Sequence, residues 1–411
     1  MTAKNNRVLL LFTSAFPYGK GEQFIETEIR FLAEVFAEVH IFPLTVKGEA
    51  RALPSNVIVR EFRFYQAYPV KKMFLKHFLT LVSIFSLQVR LSAHRGKYVK
   101  NMRKQFLYLL HRVNDAYRLH HLFGSYEGKD VVFYSYWFNL WMAALCMQKR
   151  LGLLHHQLLT RAHGGDYDEA QKKEGYFPFR EFELKQIERL LPVSYYGKTY
   201  LERKYPFYRG QLSVAYLGVT DKGDNPFKDD APFHLVSCSF LIPLKRVHLI
   251  IEILEHIGLP VKWTHIGEGE LMSEVRARAA KLPSSVSVEF PGHLSNDKVM
   301  EFYGKTPIDL FVNVSELEGV PVSIMEAISF GIPVTGCRIC GVPEIVTDAT
   351  GFLFEKDFDP IREAHRLKEY LLLPATAKEE FRKGVKAFWR ARFNANVNYP
   401  AFIEGQLFPL K

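Results

Sequence analysis

The chain is 411 residues long, 48% hydrophobic and 24% charged. That is the composition of a globular protein with a large core, and the length predicts two domains of about 200 residues each. Its four cysteines, Cys146, Cys238, Cys337 and Cys340, make no secreted disulfide framework. The net charge of +10 is unevenly placed: residues 1–215 carry 32 Lys and Arg against 18 Asp and Glu, and the remainder carries 22 against 26. A basic first half beside a mildly acidic second half predicts an anionic partner for the first half alone.

Lys4 and Arg7 precede only Val8 to Phe12. That run is too short for the apolar part of a signal peptide and has no small-residue cleavage site after it, so it reads as the first strand. A loop with Gly19, Lys20, Gly21 and Glu22 follows, and then a helix from Gln23 to about Phe36 with Phe24, Ile25, Ile29, Leu32 and Phe36 on its buried side. A glycine loop there belongs at the carboxyl edge of a parallel sheet, although Gly-x-Gly by itself is equally a tight turn. Residues 60–125 hold thirteen Lys and Arg but only Glu61 and Asp115 as acids, interleaved with many aromatic side chains. Their most apolar run, Phe78 to Val89, is twelve residues long, too short to span a bilayer. Basic amphipathic helices of this kind lie on anionic membrane surfaces, and the alternative is an insertion packed on the first domain with a solvated basic face. No nucleic-acid motif accompanies the charge, so nucleic acid is not expected as a partner.

Asp130–Tyr136 and Gln157–Ala162 read as two further strands. The second ends in Arg161, Ala162, His163, Gly164, Gly165 and Asp166. A histidine just past a buried strand stands at the sheet edge where ligands bind, although an anonymous one there is more often structural. Leu191–Ser194 and Leu212–Tyr216 are candidate last strands of the first domain. Gly218 to Pro232, rich in Pro, Gly and Asp, is the expected interdomain linker. In the second domain Phe233–Ser239, Val261–Gly267 and Val286–Phe290 are strands, and the segment with Lys245 and Arg246 starts a helix. Cys337-x-x-Cys340 lacks the two further ligands a zinc site would need and is read as small residues in a loop.

The most informative stretch is Ile308 to Val346. A buried apolar run, Leu310 to Val314, breaks into the loop Ser315 to Gly319. Pro321 then opens a helix through Ile324, Met325 and Ile328, which stops at Gly331. Ile332–Thr335 reads as the next strand, and Gly341 to Glu344 as the start of another helix. This is strand–helix–strand grammar with a glycine-containing loop feeding a helix N-terminus, a ready site for a diphosphate. Glu318 lies in the loop and Glu326 eight residues on, roughly 7–8 Å along the axis from Pro321. Carboxylates beside a phosphate cradle make sense where they accept from sugar hydroxyls, so the arrangement suits a sugar nucleotide.

The spacing E-x7-E within EG-x-P-x-S-x-x-EA-x-x-x-G-x-PV, followed by GVPE-x-V, resembles the retaining family-4 glycosyltransferases. The likeness is dense over residues 308–346 and thinner across nearly the whole chain. It implies an α/β fold of two Rossmann-like doubly wound domains facing across a cleft, the GT-B fold. Residues 1–217 would form the acceptor domain with its basic insertion and 218–232 the linker. Residues 233–385 would be the donor domain, and 386–411 a helix crossing back. The resemblance places Glu318 and His163 in catalysis, with Asp166 on the acceptor side. It puts Gly19, Gly21, Lys245, Arg246, Gly267, Leu294, Gly319, Val320, Pro321, Val322 and Glu326 on the donor. Relatives often carry Arg at the position of Phe240 and Gly at that of Cys340; Arg246 is the candidate replacement cation. The D-x-D matches at Asp166–Asp168 and Asp357–Asp359 lie in the wrong fold for metal binding, so no metal and no cofactor beyond the nucleotide-diphosphate sugar donor are expected.

The function this implies is transfer of a hexose, with retention, from a nucleotide sugar to a saccharide acceptor, expected to be lipid-linked, in bacterial exopolysaccharide, capsule or lipopolysaccharide synthesis. The basic aromatic half predicts a cytoplasmic protein, peripheral on the inner face of the plasma membrane. The alternatives are a catalytically inactive GT-B-fold adaptor that binds membranes or polyanions, or a sugar-nucleotide epimerase of the same fold.

Overall fold

Residues 5–19 and 21–408 are described in a computed structural model of the chain; Lys4, weighed above as a signal-peptide flank, Lys20 and residues 409–411 at the end of the expected returning helix lie outside them. Two compact units emerge, one made of the chain up to Ala215 together with the segment from Pro400, the other of Tyr216–Tyr399.

The first unit is built on seven strands: β1 (Asn5–Thr13), β2 (Phe36–Pro43), β3 (Val57–Val59), β4 (Val131–Ser135), β5 (Leu158–Ala162), β6 (Arg189–Pro192) and β7 (Gln211–Leu212). Their order is β3-β2-β1-β4-β5-β6-β7, all parallel. β4 and β5 are buried along their whole length, as is β1 from Val8 onward. That is why they are continuous apolar runs rather than alternating ones. The second unit repeats the pattern with β8 (Phe233–Cys238), β9 (Val261–Ile266), β10 (Val286–Gly292), β11 (Leu310–Asn313), β12 (Val334–Cys337) and β13 (Gly351–Phe354), in the order β10-β9-β8-β11-β12-β13. In each sheet the order reverses beside the first strand of the unit, between β1 and β4 and between β8 and β11. Ligands of doubly wound sheets bind outside the carboxyl ends of such a pair.

Three expected boundaries move. The first helix is Ile25–Val35, and Phe36 already begins β2. After β12, Val342–Glu344 form only a short 3-10 turn rather than a helix. The expected terminal helix is two, Ala375–Arg392 and Ala395–Phe402, with the break held by Ala395 N–H donating to the Val219 carbonyl at 3.0 Å. Beyond it, Phe402 lies beneath the Arg161 guanidinium at 4.2 Å and Phe408 stacks on Phe36 at 5.3 Å. The returning segment is thus seated on the first sheet. The Gly218–Pro232 stretch has linker composition but is pinned inside the second unit. There the Asn225 amide donates to the Thr306 carbonyl at 2.7 Å, and its oxygen accepts from Arg382 at 2.6 Å.

The basic insertion forms the helices Val70–Leu91, Arg95–Lys100 and Met102–Phe123 between β3 and β4. Twelve residues had set the expected apolar length, whereas the Val70–Leu91 helix has 22 and a mean hydropathy of 1.3 over its most apolar window. By length and composition it is the one helix among the described residues able to cross a membrane. It is nonetheless packed. His77, Leu81, Ile84 and Gln88 form one buried stripe at helical spacing, and the Gln88 side chain both donates to Glu181 and accepts from the Phe182 N–H. Leu81, Ile84, Tyr98, Leu109 and Val113 join Phe12, Phe133 and Trp141 in one core.

Candidate functional site

At the switch point of the second sheet, β8 leads into a 3-10 turn, Pro243–Lys245, and β11 leads through Glu318 into the helix Val322–Ser329. Pro321 caps this helix, and its carbonyl accepts from the Ile324 and Met325 N–H groups. The amides ahead of those have no intrahelical partner, so the N-terminus is an electropositive cradle formed by the N–H groups of Gly319, Val320 and Val322 around Pro321, which has none to give. Ile324, Met325 and Ile328 face the core and fix the direction in which the helix points. Gly331 ends it at φ +74°.

The charged groups converge on that cradle. Lys245 Nζ lies 2.6 Å from Glu318 Oε1, and Asn313 Nδ2 approaches the same oxygen at 3.5 Å. Glu326, one turn into the helix, accepts from Asn296 Nδ2 at 2.6 Å. Burial pushes the Glu326 carboxyl up to about 7, with the Asn296 hydrogen bond opposing the shift. Asn296 and Asn313 were not singled out from the sequence. Both are common turn residues, and only the fold brings Asn296 from thirty positions away to Glu326.

Gly267 follows β9, and a Cβ there would stand 1.9 Å from the Ser239 carbonyl oxygen at φ +148°. Its need for glycine is a close approach of two strand-end loops. Leu294 lies half-buried in the loop after β10, just ahead of Asn296. Phe240, where relatives often carry Arg, is exposed.

Arg246 has different partners from those expected of a second phosphate cation. Its guanidinium donates to the Val314 carbonyl at 2.9 Å and the Lys356 carbonyl at 2.9 Å, with Cys337 Sγ at 3.2 Å. It ties the Glu318 loop to β12 and the turn after β13. Burial raises the Cys337 thiol to about 11, the Arg246 charge opposing it. Among the described residues no group of three or more His, Cys, Asp or Glu could hold a metal ion.

The first unit gives its β1 loop an unforeseen occupant. Glu22, in the left-handed region at φ 57°, folds its carboxylate back over the loop. It accepts from the N–H groups of Ser14 at 3.1 Å and of Ala15 and Phe16 at 2.5 Å each, and from the Trp137 indole. Gly19 and Gly21 were expected to face phosphate. Their carbonyls accept from Arg51 at 2.8 and 2.7 Å. The anion-binding nest at this switch point is filled by the chain's own carboxylate.

His163 stands at the end of β5 with its ring 4.3 Å from Trp137, 5.3 Å from Tyr136 and 6.0 Å from Phe24. Burial drives its pKa down to about 3, with the Arg161 charge adding to the shift. The imidazole is therefore neutral at physiological pH. Asp166 was expected on the acceptor side, but its carboxylate accepts from the His163 N–H at 3.0 Å. It orients the turn that carries His163.

A carboxylate pair, a lysine and a helix N-terminus meet at the switch point of the second sheet. The same segment is where the chain meets a known family, Glycosyl transferases group 1, matched over residues 220–387. Residues 220–387 form a glycosyl transferases group 1 domain. The glycosyltransferase WcaL of Escherichia coli, named for colanic acid biosynthesis, is 27% identical over 216 residues, covering 50% of this chain and 53% of WcaL. The chain thus spans about half the length of the curated relatives it matches. Among solved structures, the apo form of the lipopolysaccharide outer core galactosyltransferase WaaB superposes with a TM-score of 0.66 at 14% identity, covering 96% of this chain and 98% of WaaB. HepE of Anabaena in complex with UDP and glucose gives 0.60 at 14% identity, over 96% and 98% of the two chains. These likenesses, with the two parallel sheets, establish the GT-B fold.

Proposed function

We propose that this glycosyl transferases group 1 chain transfers a hexose, with retention, from a nucleotide-diphosphate sugar to a saccharide acceptor in assembly of a bacterial surface polysaccharide. The observation that carries the reading is the Lys245–Glu318 pair at 2.6 Å, set beside the helix start with Glu326 one turn in. The functions for which WcaL and WaaB are named, and the UDP and glucose held by HepE, support it.

On this reading the donor diphosphate lies over the N–H groups of Gly319, Val320 and Val322 and takes Lys245 from Glu318. The freed Glu318 accepts from donor-sugar hydroxyls, and Glu326 accepts from the nucleotide ribose. Charge developing on the leaving diphosphate falls on the amides, the helix dipole and Lys245, so the proposal requires no metal. Glu318 acts by positioning and charge stabilisation. Neutral His163 supplies a hydrogen-bonding edge to the reacting sugars rather than a proton. The acceptor, of lipid-linked class, belongs to the basic first unit, and that unit holds the protein on the inner face of the plasma membrane.

The test is thermal-shift stabilisation by a panel of UDP-, GDP- and ADP-sugars, with Glu326→Ala beside the wild type. A shift selective for one nucleotide and lost in the variant is expected. A response indifferent to Glu326→Ala would remove the site from the reading and favour the inactive adaptor. Product analysis separates transfer from epimerisation, which needs no acceptor.

A further inference from the structure

The first unit holds a second polar concavity on the opposite edge of its sheet from His163. The Leu140–Arg150 helix returns from the carboxyl end of β4 to the amino end of β5, and its last turn meets the Val70–Leu91 helix. A cavity of about 540 Å3 opens there, lined by Arg90, Lys149, Arg150, Ser83 and Ser86 over a floor that includes Ile84 and Phe182. Arg150 Nη2 donates to Ser83 Oγ at 2.8 Å. Lys149 pairs with Glu188, which lies outside the lining. No Asp or Glu lines the cavity, and among the described residues no ion pair joins Arg90 or Arg150 to a carboxylate.

Two guanidinium groups without a carboxylate partner, Arg90 and Arg150, share this concavity with a lysine matched only by Glu188 outside the lining, and an anion relieves their repulsion. Guanidinium groups suit phosphate oxygens in particular, because their planar forks donate two bonds at once. Two serine hydroxyls add donors that a tetrahedral, many-oxygen anion can use and a single carboxylate would leave idle. The helix also shows what leads to the cavity. Leu75, Leu79, Ser83 and Ser86, then Arg90, follow one another at three- and four-residue spacing along one face. Leu75 and Leu79 are 77% and 80% exposed, with Lys71, Lys72 and Lys76 exposed around them. An exposed apolar stripe thus runs directly into a basic cavity.

We propose that this cavity is a phosphate-ester site, separate from the donor site, that takes a phosphate group from a lipid headgroup or from a soluble diphosphate. The apolar stripe would lie against acyl chains when the source is a lipid.

Two doubly substituted proteins with equal charge loss test it: Arg90→Gln with Arg150→Gln in the cavity, and Lys71→Gln with Lys72→Gln outside it. Cosedimentation with vesicles of equal parts phosphatidylcholine and phosphatidylglycerol reads the lipid source. Thermal shift by inorganic pyrophosphate, measured in a Lys245→Ala background to silence the donor site, reads the soluble one. The cavity variant is expected to lose roughly tenfold or more in at least one assay, with the outer variant clearly less affected in that assay. Equal losses in the two variants would mean diffuse surface charge and overturn the site. So would retention of both responses by the cavity variant, or absence of both from the parent proteins. A UDP-sugar response is read separately in the wild-type background, so failure of the donor site leaves this outcome interpretable.

Discussion

Lys245 and Glu318, seventy-three residues apart in sequence, form an ion pair at 2.6 Å on the rim of the helix N-terminus. Each group satisfies the other before any ligand arrives, which lets two polar side chains wait at the site without an unpaired charge. The proposed donor would exchange that pair for two new ones, phosphate with lysine and sugar hydroxyl with carboxylate. Replacing Lys245 with Ala is expected to weaken nucleotide-diphosphate binding by about 10- to 100-fold, the worth of one charged hydrogen bond. Glu318→Gln is expected to keep the nucleotide but lower transfer by about 100-fold or more. Calorimetric titration with UDP and product counting separate the two; a glutamine variant with unchanged turnover would remove Glu318 from the chemistry.

Glu326 gives the donor site a pH signature. Its carboxyl titrates near 7 because burial disfavours the anion. The carboxylate accepts two hydroxyls more readily than the acid, so donor affinity is expected to rise through pH 7 and to lose that rise in Glu326→Gln. Stability runs the other way. The folded protein keeps a proton that the unfolded chain releases near 4.5, so this group's contribution falls as pH rises from about 4.5 to about 7. Denaturant titrations of wild type and Glu326→Gln across that window should differ in slope; parallel curves would contradict the buried carboxyl.

His163 has the opposite sign. Its folded pKa near 3 lies below the ordinary 6.5, so the unfolded chain binds the extra proton and stability falls as pH drops from about 6.5 toward 3. Activity, by contrast, should show no limb attributable to His163 between pH 5 and 8, because the ring is neutral throughout. An NMR titration of the imidazole with a midpoint near 6.5 would show the ring to be solvated after all.

Glu22 is expected to matter for stability before it matters for chemistry. Its carboxylate takes three backbone N–H groups and an indole, and truncation leaves those donors without an acceptor. Glu22→Ala should cost about 2–3 kcal/mol and loosen the loop carrying Gly19 and Gly21, read as faster amide exchange at Ser14–Phe16. Unchanged exchange there would mean the nest is satisfied in another way.

Cys340 sits at φ 41°, in the left-handed region that glycine adopts without cost. Cys340→Gly is expected to be neutral or to stabilise the second unit by about 1 kcal/mol, whereas Cys340→Val should destabilise it, both read from denaturation midpoints. Arg246→Ala removes a tether to the Val314 and Lys356 carbonyls. It should raise the KM for donor through a loosened Glu318 loop rather than by loss of a phosphate contact.

What the sequence determined by itself was where several buried strands lie and the residue pattern of one segment; β2, β3 and β13 were not read from it. Buried parallel strands are unbroken apolar runs, so β1, β4, β5, β8 and β11 stand out without a structure. The Glu318–Glu326 spacing is likewise local, because Glu326 is the fifth helical residue after Pro321 and a helix fixes their distance. Only the tertiary structure decided which partners the polar side chains took. Arg246 and Gly21 are followed by nothing that foretells their bonds, and Glu22 looks like any loop glutamate. Arg246 and Gly21 take partners from other strands' loops, and Glu22 adds the Trp137 indole to three amides of its own loop; hydrogen bonds over the long separations are set by how the sheets fold rather than by neighbouring residues. The same holds for the Val70–Leu91 helix. Its charges and leucines are legible, but the stripe it buries depends on the His77, Leu81, Ile84 and Gln88 face meeting a core assembled from several strands and helices of the first unit.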